Sequence, residues 1–164
     1  MGLTSQEATM TQNPVMQNSV AQDPVAQSPV AQSPVADNPV IGKFLQAIET
    51  ATIPGCDAWS PDATLDATVP GWRLHAAGPD AIRAEYARWF ADPGHFDELR
   101  RYPVSGGASE VVEYTLTWTE NGVPHAGHHM HLITVRGNRI ASDMVFCGGR
   151  WPAALLAEME AADA

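Results

Sequence analysis

The sequence predicts an α+β domain in which a curved, mostly antiparallel sheet covers helices on one of its faces. Three observations lead to this prediction. Apolar residues recur at helical spacing near residues 39–48 and 79–90, strand-like alternation runs through residues 110–147, and Asn121-Gly122 separates two of those strands. Asn-Gly is the strongest short hairpin signal, because both central residues of a type I′ turn need positive φ.

Residues 1–38 differ in composition from the rest of the chain. Valine recurs every five residues from position 15 to position 40, and proline precedes most of these valines. Proline removes backbone donors and one valine in five cannot build a core, so we predict a disordered or polyproline-like arm of Val/Pro/Gln/Ala repeats. The arm either solubilises the protein or docks a partner. Residues 39–164 are predicted to form a single domain with a C-terminal helix.

Charge and cysteine content exclude several classes of partner. The formal net charge is −10, and the nine basic residues form no cluster, so we expect neither nucleic acid nor a membrane as partner. No apolar run of about 18 residues predicts a membrane span. Cys56 and Cys147 provide neither a disulfide framework nor a C-x-x-C motif, which favours a reduced, cytoplasmic setting.

The elements follow in order from local signals. Asn38 can cap a first helix and Pro39 suits its first turn, and Pro54-Gly55 is expected to end that helix. Turn residues then alternate with short strand-like and helical stretches. The later predicted elements are strands at 65–69 and 72–75, a helix at 79–90, a strand at 96–104, three strands within 110–147, and a short helix from Pro152.

The Asn121-Gly122 hairpin places three histidines on the apolar face of the sheet. A two-residue turn pairs Trp118 with His125, Tyr114 with His129, and Val112 with His131. The strand before this turn, at 110–120, alternates between apolar and Glu/Thr residues. Its apolar residues and these histidines therefore share the core-side face.

The next hairpin allows two registers. A two-residue loop at Gly137-Asn138 sets His131 opposite Met144, whereas a three-residue loop starting at Arg136 sets it opposite Asp143. A slip of one residue moves Asp143 to the other face of the sheet. The residues alone leave both registers open.

Several segments together resemble a known family. The runs D-A-T-L-D-A-T-V-P-G-W-R, G-P-D-A-I-R-A-E-Y-A-R-W-F and H-L-I-T-V-R-G-N-R-I are similar to the SnoaL-like branch of the nuclear transport factor 2-like superfamily. This superfamily includes ketosteroid isomerase, polyketide ring cyclases and limonene epoxide hydrolase. The resemblance covers about residues 40–148 and implies a cone-shaped, strongly curved sheet over helices, a small-molecule cavity and a homodimer. The H-x-x-H-H-x-H cluster departs from these enzymes.

The resemblance also implies site residues. Ketosteroid-isomerase-like enzymes carry a base near the first strand and a hydrogen-bond donor on the penultimate strand, and Asp66 and His131 fall nearest those places. In SnoaL-type cyclases a histidine and an aspartate on the last two strands act together, and His129 with Asp143 resembles that pair. This resemblance favours the three-residue loop in the second hairpin.

We therefore expect a pocket enzyme that performs acid–base chemistry next to a carbonyl: an isomerase, a polyketide-type cyclase or a dehydratase without a cofactor. His129 or His131 would exchange the proton, Asp143 would orient the ring, and Tyr114 or Asp66 would assist. The ligand would be a small, largely apolar carbonyl compound. The expected ligand-binding residues are Trp118, Leu116, Val145, Trp72 and Tyr86.

Other interpretations compete with this one. The histidines, Tyr114 and Trp118 can be satisfied core residues, Asp66 and Asp143 can stabilise turns, and Cys147 can be a small buried hydrophobe. The triad of His125, His129 and His131 can bind zinc or another divalent metal. The domain can also be a non-catalytic ligand carrier, or an assembly domain that binds through the polar face of the strand at 110–120.

Overall fold

The computed structural model describes residues 38–104 and 107–163, so the predicted arm at 1–38 lies outside the described residues except for Asn38. Three α-helices and seven strands occupy this part of the chain. In order they are α1 (Pro39–Glu49), β1 (Trp59–Val69), β2 (Trp72–Ala77), α2 (Pro79–Trp89), β3 (Gly94–Pro103), β4 (Ser109–Glu120), β5 (Val123–Arg136), β6 (Arg139–Cys147), β7 (Trp151–Pro152) and α3 (Ala153–Ala162).

The first helix begins where the sequence predicts and ends earlier. The Asn38 side chain accepts a hydrogen bond from the Val40 N–H at 3.0 Å, and Pro39 occupies the first turn. The helix stops at Glu49, and Ala51 takes a positive φ of 54°. Pro54-Gly55, expected to end the helix, instead lies in a separate 3₁₀ turn.

One mixed sheet contains all seven described strands. The order is β2-β1-β6-β5-β4-β3, and β7 pairs with the end of β5. All pairs are antiparallel except β1 with β6, which is parallel. Register shifts in the β1–β6, β3–β4 and β5–β6 pairs accompany the curvature of this unclosed sheet. The predicted α+β class with a curved, mostly antiparallel sheet is confirmed.

The hairpin between β4 and β5 has the predicted register. Asn121 and Gly122 have φ values of 51° and 78°, as a type I′ turn requires. The Cα pairs include Trp118 with His125, Tyr114 with His129, and Val112 with His131.

The prediction that a three-residue loop joins β5 and β6 is wrong. Arg136 pairs with Arg139 across a two-residue turn, and a bulge before Thr134 then shifts the register by one residue. His131 therefore lies opposite Val145, and Asp143 lies opposite Ile133. Asp143 nevertheless lies on the core-side face. The two-residue turn alone would place Asp143 on the outer face, and the extra residue of β6 at the bulge returns it to the core-side face.

The core lies between the inner face of the sheet and helices α1 and α2. Phe44 of α1 contacts the rings of Trp59, Tyr86 and His131, with centroid distances of 5.5, 5.1 and 5.9 Å. Trp59 and Tyr86 also stack on each other at 5.9 Å. This aromatic packing surrounds His131 with apolar rings.

The outer face of the sheet carries an exposed apolar group of four residues, here called the outer patch: Met130, Leu132, Met144 and Phe146. Met130 pairs with Phe146 and Leu132 with Met144 across β5 and β6. Each of the four is between 37% and 47% exposed. Helix α3 also has no buried residue. None of the helices in the described residues has the length and apolar character needed to cross a bilayer.

Candidate functional site

Four side chains form a buried polar network inside the cone: Tyr86, Tyr114, His131 and Asp143. The Tyr86 hydroxyl donates to Asp143 Oδ2 at 2.6 Å. His131 Nδ1 lies 3.2 and 3.1 Å from the two Asp143 oxygens, and its Nε2 lies 2.9 Å from the Tyr114 hydroxyl. His131 and both tyrosines are fully buried, and Asp143 is 2% exposed.

A single protonation pattern satisfies every donor in this network. With Asp143 as a carboxylate, it accepts from the Tyr86 hydroxyl and from His131 Nδ1–H. The neutral imidazole then accepts at Nε2 from the Tyr114 hydroxyl. We assign this tautomer from the hydrogen-bond network, because a proton on Nε2 would leave the Tyr114 hydroxyl without an acceptor.

The two tyrosines remain donors over the whole ordinary pH range. Burial, followed by the negative charge of Asp143, raises the pKa of Tyr86 and of Tyr114 well above the usual value for a phenol. The network is therefore a fixed arrangement of protonated tyrosines around a histidine–carboxylate pair.

A cavity of about 320 Å³ lies beside this network, and its lining is mostly apolar and aromatic. This volume is near the lower end of the roughly 300–1,000 Å³ typical of small-molecule sites. The cavity opens between the end of α2 and the segment that follows β6. Its lining residues are Val69, Pro70, Arg88, Trp89, Phe90, Asp92, Leu116, Trp118, His129, Cys147, Gly149 and Arg150.

His129 forms part of the cavity wall and is only 6% exposed. Its ring stacks on Tyr114 at a centroid distance of 5.1 Å and an angle of 10°. Burial, with smaller contributions from His131 and His128, lowers the pKa of His129 to about 3. The ring is therefore neutral near pH 7, which differs from the expectation that it accepts a proton there.

The two ring nitrogens of His129 have different surroundings. Nδ1 is buried and has no hydrogen-bond partner among the described residues, and Nε2 lies 3.6 Å from Cys147 Sγ. We assign the ring proton to Nε2, because a buried N–H without an acceptor costs more than an unused lone pair. His129 then presents an N–H beside the thiol at the cavity wall.

Cys147 is half-buried and lines the cavity, so it is more than the buried hydrophobe that the sequence suggested. Its Sγ accepts a hydrogen bond from the Gly149 N–H at 3.3 Å. Burial raises the pKa of the Cys147 thiol, which therefore stays protonated near pH 7. Gly149 has a φ of 103°, a conformation that favours glycine, and this turn brings the last part of the chain to the cavity.

Three charged side chains line the cavity. Arg88 pairs with Glu85, and Arg150 pairs with Glu120. Asp92 is half-buried and has no hydrogen bond or ion pair within the described part of the chain. Asp92 is therefore the cavity carboxylate that is available to a ligand.

The predicted site residues fall into two adjoining groups. His129, Leu116 and Trp118 line the cavity. The predicted residues His131, Asp143, Tyr114 and Tyr86 form the buried polar network behind it, and Val145 is fully buried opposite His131. The expected His129–Asp143 pair does not form, because Asp143 binds His131 instead.

Two predicted site residues lie elsewhere. Asp66 is on the outer face of β1, bonded to Arg73 at 2.7 Å, and this hydrogen bond lowers the pKa of the Asp66 carboxyl. Trp72 is 70% exposed at the start of β2. Asp66 faces outward because its neighbours Leu65 and Ala67 take the core-side face of β1.

The three histidines of the metal alternative do not converge on one point. His125 stacks on Trp118 and bonds to the Val123 carbonyl, His131 bonds to the buried polar network, and the rings of His129 and His131 are stacked at 6.1 Å. Over residues 38–104 and 107–163, no three His, Cys, Asp or Glu side chains are arranged to hold a metal ion.

Sequence reasoning missed the cavity residues that lie where elements end. Trp89 is the last residue of α2, Phe90 and Asp92 follow it, and Gly149 and Arg150 follow β6. In the sequence, Asp92-Pro93-Gly94 is only a helix-ending signal, and Gly148-Gly149 is only a turn signal. Such segments carry many functional residues, but their local sequence does not show which cavity they border.

Comparison with known proteins supports the fold. Neither a protein-family model nor a curated protein matches the chain. A protein with a ketosteroid isomerase-like fold from Catenulispora acidiphila, in complex with trimethylamine, is 19% identical with a TM-score of 0.53, over 65% of this chain and 82% of its own. The epoxide hydrolase/cyclase-like enzyme SalBIII, which has a role in pyran ring formation in salinomycin, is 15% identical with a TM-score of 0.56. This match covers 67% of the present chain and 88% of SalBIII. A nuclear transport factor 2-like protein from Anabaena variabilis is 17% identical with a TM-score of 0.56. This match covers 67% of the present chain and 84% of the Anabaena variabilis protein.

These identities are low, and the likeness to solved structures concerns the fold. The similar structures and the resemblance in sequence agree on one architecture, with a curved, unclosed sheet over helices. The chain therefore has the nuclear transport factor 2-like fold that it shares with ketosteroid isomerase-like proteins.

Proposed function

We propose that the protein catalyses proton transfer at a carbon next to the carbonyl of a small, largely apolar ligand. The observation that supports this most directly is that one apolar cavity contains the neutral imidazole of His129 and the carboxylate of Asp92, which has no partner among the described residues. Such chemistry needs a group that holds the carbonyl oxygen and a base that removes the proton.

His129 is suited to hold the carbonyl oxygen. A ring with a pKa of about 3 is a weak base near pH 7, but its Nε2–H is a permanent donor. That N–H now faces a sulfur at 3.6 Å, which is a weak acceptor. A ligand oxygen would replace this contact with a stronger N–H···O bond, and the low-dielectric wall would strengthen it further as negative charge develops.

Asp92 is suited to take the proton. Its carboxylate would remove hydrogen from the carbon next to the carbonyl, and the C–H electrons would move to form an enolate whose oxygen His129 holds. Return of the proton to a different carbon completes an isomerisation. Attack of the enolate carbon on a second carbonyl of the same ligand forms a ring, and the alkoxide that results takes the proton back from Asp92 to complete a cyclisation. No cofactor is required for either sequence.

The comparison structures are compatible with this proposal. SalBIII, which has the same fold, is epoxide hydrolase/cyclase-like and has a role in ring formation. The Catenulispora acidiphila protein of this fold is in complex with the small molecule trimethylamine. The second of these is also compatible with a non-catalytic ligand carrier, so the experiment must separate chemistry from binding.

The test follows exchange of the hydrogens at the carbon next to the carbonyl of 1-indanone, in deuterated buffer, by NMR. The wild-type protein should accelerate exchange over buffer, and Asp92→Asn and His129→Phe should each reduce the acceleration by about 100-fold or more. Asp97→Asn is the matched control, because Asp97 is exposed on β3 and is absent from the cavity lining.

The outcomes separate the two functions. Exchange that survives Asp92→Asn would overturn the assignment of the base. Saturable binding of 1-indanone by the wild-type protein without any acceleration of exchange would favour the ligand carrier.

We also propose that the outer patch joins two copies of the chain. Each copy has a formal net charge of −10, so two copies repel each other over most of their surface. The outer patch has four apolar residues side by side, and Val111 and the half-exposed Tyr102 extend it across β4 and β3. An apolar surface of this kind is typical of protein–protein contacts.

A further inference from the structure

Two layers of rings separate the cavity from the interior of the cone. Phe90 and His129 form the front layer, and both line the cavity, with their centroids 5.6 Å apart. Phe90 stacks on Tyr86 at 5.9 Å and 23°, and His129 stacks on Tyr114 at 5.1 Å and 10°. Tyr86 and Tyr114 form the back layer, and their hydroxyls belong to the buried polar network.

We propose that Phe90 determines the depth of the cavity, and with it the length of the ligand. In front of Phe90 a ligand meets His129. Behind Phe90 lies the ring of Tyr86, which does not line the cavity because Phe90 stacks on it. The inference rests on the proposed function only for the class of ligand, a cyclic ketone.

Phe90 is the apolar member of the front layer. It is 4% exposed and ends α2, where its backbone N–H bonds to the Tyr86 carbonyl at 2.9 Å. Its side chain makes no hydrogen bond, so truncation leaves no buried polar group without a partner. Truncation of His129, by contrast, removes the proposed donor, and Trp89 is only half-buried.

The size of the cavity sets the expected limit. About 320 Å³ corresponds to roughly ten waters at their liquid volume of about 30 Å³ each. One ring, or two fused rings, fits in such a space with room to spare, whereas three fused rings would nearly fill it. Removal of the Phe90 ring would extend this space inward to the face of the Tyr86 ring, so a third ring could enter more easily.

The experiment measures binding of three rigid ketones, cyclohexanone, 1-indanone and 9-fluorenone, to the full chain by calorimetry. Wild-type protein should bind the first two better than 9-fluorenone. Phe90→Ala should improve binding of 9-fluorenone by at least about tenfold, with little effect on cyclohexanone. In Phe90→Ala, 9-fluorenone should also shift the ring ¹H signals of Tyr86 much more than in the wild-type protein, where Phe90 covers that ring.

Phe96→Ala is the matched control. Phe96 packs edge-on against the other tyrosine, Tyr114, at 4.9 Å, but it does not line the cavity. Equal improvement in Phe96→Ala would mean general loosening and would overturn the inference, as would an unchanged size preference in Phe90→Ala. If Phe90→Ala does not fold, Phe90→Leu replaces it, and an unchanged preference there overturns the inference as well.

Failure of this inference is distinguishable from failure of the proposed function. 9-Fluorenone has no hydrogen on the carbons next to its carbonyl, so its binding reports cavity depth without any chemistry. Loss of the exchange reaction in Asp92→Asn, or its absence, leaves the expected effect of Phe90→Ala unchanged.

Discussion

Replacing Tyr86 with phenylalanine isolates one hydrogen bond of the buried polar network. The hydroxyl donates to Asp143 Oδ2 at 2.6 Å, and both groups are buried. The ring contacts with Phe44, Trp59 and Phe90 remain, because phenylalanine keeps the same ring. The effect of the variant therefore reports the hydrogen bond and little else.

The magnitude follows from the charge and burial of the acceptor. A hydrogen bond to a charged group contributes about 1.5–3 kcal/mol. We expect Tyr86→Phe to lower the free energy of unfolding by that amount, and to lower Tm by roughly 5–15 °C for a domain of this size. Tyr114→Phe removes a bond between neutral groups, so it should cost only about 0.5–1.5 kcal/mol.

Urea unfolding of the full chain, followed by tryptophan fluorescence, measures both values. Tyr102→Phe is the control, because Tyr102 is 48% exposed on β3, and it should stay within about 0.5 kcal/mol of the wild-type protein. A Tyr86→Phe variant as stable as Tyr102→Phe would refute the account of Asp143 as a buried carboxylate held by two donors.

Four further predictions concern other parts of the molecule. As pH falls from 6.5 towards 3, unfolded His129 binds a proton that the folded ring does not. This group should therefore lower the free energy of unfolding by up to about 1.4 kcal/mol per pH unit. In urea titrations, His129→Gln should lose less stability than the wild-type protein over this pH range. Gly42→Ala should stabilise α1 by about 0.5–1 kcal/mol, because nothing lies within 4 Å of the added Cβ. Gly94→Ala should destabilise by about 1–3 kcal/mol in the same assay, because its Cβ would lie 2.7 Å from the Thr117 carbonyl oxygen. Phe146→Lys should convert a dimer to a monomer in sedimentation velocity, because it places a charge in the outer patch.

Controls make two of these results specific. An equal effect of His95→Gln, at an exposed histidine, would contradict the assignment to His129. Thr119→Lys adds the same charge at the far, exposed end of β4 and should leave the dimer intact. A wild-type protein that sediments as a monomer would exclude the proposed contact.

Short-range signals were sufficient for much of the fold. The Asn121-Gly122 turn and the alternation in β4 together placed His129 and His131 on the core-side face in the observed register. The cap at Asn38 and the helical spacing after it placed the start of α1. These features depend on turn φ values and on side-chain period, both of which are properties of neighbouring residues.

Tertiary structure decided which polar groups lie together. The bulge in β6 joined Asp143 to His131 and not to His129, and the face taken by β1 turned Asp66 towards Arg73. Only the packing of distant segments brought Asp92 to the cavity of His129 and removed the water that would keep this ring basic. The sequence by itself determined β4 and β5, the faces of their residues and the histidine cluster, because these are local. Register across a bulge, burial and the sharing of a cavity depend on residues far apart in the chain, so the folded structure alone decided them.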